Sequence, residues 1–97
     1  MNESVAVRAE SQAGGWLCEV EVDAGGERTR HRVTVTAADL ALWARGSSGS
    51  DVEDLVRRSF EFLLEREPAS SILGEFDLAV VQRYFPEYDR LFRRSVS

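Results

Sequence analysis

The stretch Trp16-Leu17-Cys18-Glu19-Val20-Glu21-Val22-Asp23-Ala24-Gly25-Gly26-Glu27-Arg28-Thr29-Arg30-His31-Arg32-Val33-Thr34-Val35 decides the fold class of this chain. Its apolar residues recur at every second position, a period that sends them to one face of a sheet and their neighbours to the other. Trp16, Cys18, Val20 and Val22 share the inward face of one strand, with Glu19, Glu21 and Asp23 outward. His31, Val33 and Val35 point inward on the next, with Arg28, Arg30, Arg32, Thr34 and Thr36 outward. Gly25-Gly26 suits a two-residue hairpin turn, which needs positive φ at its centre. Ala24 then faces Glu27, and stepping outward sets Asp23 against Arg28, Glu21 against Arg30 and Glu19 against Arg32. Cys18 meets Val33 and Trp16 meets Val35 on the inner face. A slip of one residue would mix the two faces. Each exposed ion pair contributes only about 0.2 to 1 kcal/mol, so the ladder selects register more than it stabilises.

Upstream, Val5, Val7 and Ala9 alternate with Arg8 and Glu10, which predicts a further strand. A loop at Gln12, Ala13, Gly14 and Gly15 joins it to the hairpin and sets Arg8 against Glu19. Downstream the period becomes helical. Thr36 is placed to cap a helix containing Asp39, Leu40, Trp43 and Ala44, with Gly46 as its stop and residues 46–50 as a flexible connector. Ser50 and Glu53 match a capping box before the strongest helix. There Val52, Leu55, Val56, Phe60, Leu63 and Leu64 recur at spacings of three and four, with Ser59 on the same face and Phe62 at its margin. At about 100° per residue the apolar arc covers roughly 200°, wide enough to touch both a sheet and another helix. Glu53 with Arg57, Asp54 with Arg58 and Arg57 with Glu61 are spaced for ion pairs along the outer face. Pro68 ends the helix near Arg66. A turn holding Ile72 and Leu73 and closed by Gly74 follows. Asp77 is then placed to cap a helix with Leu78, Val81 and Phe85 inward, and Pro86 opens a last one with Tyr88, Leu91 and Phe92 inward. The expected architecture is α+β, with residues 1–97 as one domain: a three-stranded antiparallel meander over about 4–36, then three or four helices over about 37–94 packed on one face.

With 97 residues and a 43% hydrophobic share, the chain can bury one modest core. A net charge of -5 argues against a bulk polyanion binder and so against nucleic acid as partner. No run of about 18 apolar residues occurs, and Met1, Asn2, Glu3 and Ser4 lack the basic and apolar parts of a signal peptide, so a cytoplasmic protein without membrane attachment is expected. All 12 basic residues are arginine, a bias expected of a GC-rich bacterial genome.

Ser59-Phe60-Glu61-Phe62-Leu63-Leu64-Glu65-Arg66-Glu67-Pro68, then Ser71-Ile72-Leu73, Phe76-Asp77-Leu78 and Arg83-Tyr84-Phe85-Pro86-Glu87-Tyr88 together resemble a family of small bacterial single-domain proteins of unassigned function. The likeness runs from Ser59 to Tyr88. It implies a bacterial origin and brings no catalytic residue with it.

Several constellations invite a chemical reading. The hairpin register places Cys18 and His31 on one face and diagonal to each other, as a nucleophile and base would be, but no inward acid or amide completes a triad. Two ligands also fall short of a zinc site, and no cofactor or metal is expected. The paired glycines at 14–15 and 25–26 lack the strand-to-helix context of phosphate loops. Glu65 with Glu67 and Glu75 with Asp77 read as helix ends rather than as an acid and base pair. Arg83, Arg90, Arg93 and Arg94 gather positive charge near the end of the chain, interleaved with Glu87 and Asp89. The candidate interface is aromatic: Phe62, Tyr84, Phe85, Tyr88 and Phe92. The leading expectation is a non-catalytic interaction or regulatory module that self-associates or binds a protein partner. A small enzyme or ligand-binding domain with a pocket between the sheet and the C-terminal helices, and a nucleic-acid-associated regulator, are the alternatives.

Overall fold

The Gly25-Gly26 turn forms with φ of 61° and 81°, values a side chain would resist, and the strands leave it in the register the charges specify. The computed structural model describes residues 3–93. β1 (Ser4–Gln12), β2 (Gly15–Ala24) and β3 (Glu27–Thr36) make the antiparallel meander. Arg30 Nε lies 3.3 Å from Glu21, Arg28 3.6 Å from Asp23 and Arg32 3.6 Å from Glu19. On the other side of β2, Arg8 faces Glu19, and pairing continues to Gln12 opposite Gly15. The connecting turn is therefore Ala13-Gly14 alone. Gly15 needs its missing side chain because a Cβ there would run into the Val35 carbonyl oxygen.

The meander is incomplete as the whole sheet. β4 (Glu75–Asp77) adds parallel to β3, setting Arg32 against Glu75, Val33 against Phe76 and Thr34 against Asp77, and the sheet order becomes β1-β2-β3-β4. Gly74 O accepts from Arg32 N at 2.8 Å, and Leu78 N donates to Thr34 O at 2.9 Å. Asp77, expected as a helix cap, is thus a strand residue. The backbone groups of its neighbours are claimed by β3 before any helix begins.

Among the described residues four α-helices pack on the inner face: α1 (Ala37–Trp43), α2 (Gly49–Leu64), α3 (Ala79–Tyr84) and α4 (Glu87–Phe92). Thr36 caps α1 as expected, its Oγ1 accepting from Asp39 N while the Asp39 carboxylate accepts from Thr36 N. α1 stops at Trp43, before Gly46. α2 begins earlier than its sequence signal, with Ser48 and Asp51 forming the capping box rather than Ser50 and Glu53. Both triplets fit the motif, and the earlier start leaves the Glu53 side chain for another partner. Along α2 the ion pairs also rearrange: Asp54 takes both Arg57 at 2.8 Å and Arg58 at 2.9 Å.

Cys18, Val20, Val22, Val33 and Val35 from the sheet meet Leu55, Val56, Phe60 and Leu63 from α2, with Leu40, Trp43, Leu78, Val81 and Tyr88 closing the rim. The wide apolar arc of α2 divides as expected. Phe60 turns toward the sheet, with its ring 5.1 Å from His31 and 6.0 Å from Phe76, while Phe62 turns toward α3 and α4. Leu91, expected inward, is 62% exposed, since so short a helix buries only the side carrying Tyr88 and Phe92. No described helix is long and apolar enough to cross a membrane.

Candidate functional site

Cys18 and His31 occupy the same face, as the register requires, but they serve the core. Cys18 is fully buried, and burial first, then the nearby Glu53 charge, pushes its thiol up to about 12. A thiol held that high stays protonated and is a poor nucleophile at neutral pH. Both nitrogens of His31 are engaged: Nδ1 is 2.7 Å from Leu73 O and Nε2 is 2.8 Å from Thr29 Oγ1. Because a carbonyl only accepts, Nδ1 carries a proton, and the ring ties the segment before β4 to β3. Among the described residues, no group of three or more metal-ligating side chains converges.

The aromatic residues read as a candidate interface separate into two populations. Phe62 and Tyr88 are buried. Phe85, Tyr88 and Phe92 present their rings to Phe62 at 5.8, 5.4 and 5.8 Å, and the Arg66 guanidinium lies 3.6 Å above the Phe62 ring centre. Ser59 Oγ donates to Leu55 O at 2.8 Å, so Tyr88 must donate its hydroxyl proton to Ser59 Oγ at 2.7 Å. Burial raises the Tyr88 phenol above its ordinary value, which suits a permanent donor. Trp43 Nε1 donates to Asp89 at 2.9 Å, and Arg93 binds the other carboxylate oxygen at 2.8 Å. These bonds fasten α4 onto α1 and α2. Phe62 and Tyr88 are therefore core residues, and Phe92, half-buried and stacked on Tyr88 at 4.3 Å, extends that core.

Tyr84 behaves differently. It is 69% exposed, and with half-buried Phe85 it borders a groove of about 350 Å³ between α3, the end of α2 and the segment leading into β4. Leu63, Ile72, Leu73, Phe76, Val80 and Val81 supply most of the remaining wall, and Glu67 is its only carboxylate among the described residues. Leu73, 51% exposed, stands with Tyr84 on the groove. From the sequence, Leu73 is a turn residue with no assigned role. Its exposure depends on His31 holding the Leu73 carbonyl and on β4 anchoring the residues after it, both of which are contacts distant in sequence.

The uncovered face of the sheet holds a larger, open depression of about 610 Å³. Its charged lining consists of Arg8, Arg30 and Arg32 with Glu19, Glu21 and Glu75, three of each sign, several already paired across strands. That balance offers little net attraction to an ion. Of the basic residues near the chain end, Arg93 is paired with Asp89, Arg83 lies on α3 and Arg90 on α4; Arg94 lies outside the described residues. Comparison of the chain with protein-family models, curated proteins and solved structures finds no match.

Proposed function

We propose that this chain is a non-catalytic bacterial protein-interaction module, cytoplasmic, that receives an apolar side chain of a partner protein in the groove between α3 and the segment before β4. The observation that carries this reading is the exposure of Leu73 and Tyr84 beside that groove, in a domain that buries most of its other large apolar side chains. Exposed aromatic and aliphatic residues around a concavity are the pattern of an interface centre. Glu67, the single carboxylate in the wall, fits a basic residue next to the partner's apolar anchor. The lining is mostly apolar, with Glu67, Ser71 and Tyr84 as the polar side chains among the described residues, which suits an apolar anchor.

Selection of a displayed peptide library on the purified chain tests the reading. Peptides that carry an apolar residue beside arginine or lysine should be enriched, should lose binding to the Leu73→Ser/Tyr84→Ser variant, and should bind Glu67→Gln more weakly. Because both replaced side chains are largely exposed, the double variant should stay folded, with each change shifting stability by about 0.5 kcal/mol or less. Selection that proceeds equally well on that variant rejects the groove as the binding site.

A further inference from the structure

The sheet ends on one side at β1, and the hairpin geometry determines which backbone groups of β1 face outward. Gln12 closes a two-residue turn opposite Gly15, so Gln12, Glu10, Arg8 and Ala6 exchange hydrogen bonds with β2. Val7, Ala9 and Ser11 then direct their N–H and C=O groups away from the sheet. An edge of this length is a template for another strand.

One of those outward donors is already occupied. Ala9 N donates to Glu53 Oε2 at 3.1 Å, from a residue 44 positions away on α2. Spacing along α2 would pair Glu53 with Arg57, yet the structure pairs Arg57 with Asp54, leaving the Glu53 carboxylate to reach the edge.

We infer that the β1 edge is a strand-pairing surface for a second copy of this chain, held closed by Glu53. Charge complementarity along the edge favours a second copy as the occupant. Antiparallel pairing centred on Ala9 sets Arg8 of each copy against Glu10 of the other and Val7 against Ser11. A register shifted so that Arg8 lies on the two-fold axis would oppose two arginines, and one centred on Val7 would set Arg8 against Ala6. All three registers use the Ala9 N–H. In the favoured one, Ala9 lies on the axis, so two Glu53 carboxylates would be brought together there while both central donors remained occupied. The opposite end of the sheet is less open, because β4 covers Arg32, Val33 and Thr34 of β3.

The test compares wild type, Glu53→Ala and Glu53→Asp by light scattering and sedimentation over a concentration series, with circular dichroism confirming the fold. The aspartate variant keeps the charge but shortens the reach, and guards against a fold lost in the alanine variant. Wild type should remain monomeric where both variants dimerise, with association strengthened roughly tenfold or more. In the Glu53→Ala background, Arg8→Glu should weaken the dimer, and adding Glu10→Arg should restore it. The inference is overturned if both Glu53 variants stay as monomeric as wild type, or if their dimers are indifferent to the Arg8 and Glu10 exchanges.

Discussion

Replacing Phe62 by alanine separates a core role from an interface role. The ring is 5% exposed, surrounded edge-on by Phe85, Tyr88 and Phe92 and covered by Arg66, all within one chain. Truncation of a buried phenylalanine costs about 3 to 5 kcal/mol in lost burial and residual cavity. Loss of the Arg66 contact adds about 0.5 to 1 kcal/mol at a partly exposed site. Against this, α4 is short and its Phe92 only half-buried, so part of the cavity can close by movement of that helix. The expected loss is about 3 to 4 kcal/mol, from a total of about 5 to 15 kcal/mol for a domain of this kind. With a urea slope of about 1.5 to 2 kcal/mol per molar, the midpoint should fall by about 2 M. Trp43, 5.2 Å from Tyr88, is a fluorescence reporter of the affected region. The titration should be run at two protein concentrations about a hundredfold apart, a span over which a dimer's stability would move visibly. A loss below about 1 kcal/mol, the size of a surface change, would refute the core assignment. A wild-type midpoint that moves with protein concentration, with the dependence lost in Phe62→Ala, would show that a second subunit covers the ring.

Reversing both charges of the Glu21 and Arg30 pair should recover most of what either single reversal loses, and the coupling should be small, about 0.2 to 1 kcal/mol, because both side chains are exposed. Strictly additive losses in that cycle would contradict the register. Cys18 should react slowly with a thiol reagent in the native state, and Cys18→Ala should fold with a loss of about 1 to 2 kcal/mol. Since folding raises the thiol from 9.0 to about 12, the unfolded chain releases its proton first, and stability should fall as pH rises through that interval. Cys18→Ala should flatten this alkaline slope; an unchanged slope would assign it to another group. Asp89 has the opposite sign: bonds from Arg93 and then Trp43 hold its carboxyl below the usual aspartate range, so its contribution is present above about pH 3.9 and is lost as pH falls toward the folded value. Asp89→Asn should reduce that acid dependence in denaturation curves recorded at a series of pH values.

The meander and the division of α2 were determined by the sequence alone, because both rest on local period and on neighbouring strands. Alternation from Trp16 to Val35, two glycines able to take positive φ, and three opposite-charge pairs leave one register that satisfies every strand position. Spacings of three and four in α2 likewise set Phe60 and Phe62 toward different neighbours. The departures all involve competition from groups distant in the chain. β4 has only Glu75, Phe76 and Asp77, too few residues for a period to register, and exists because β3 supplies partners some forty residues away. Ser48 and Ser50 offer equivalent capping boxes, and the sequence does not distinguish them; the folded chain uses Ser48, while Glu53 reaches the sheet edge. The aromatic residues from Phe62 to Phe92 were recognisable as one group, but only packing separated buried Phe62 and Tyr88 from exposed Tyr84. A short helix presents its two sides to very different surroundings, and those surroundings are built by the rest of the fold.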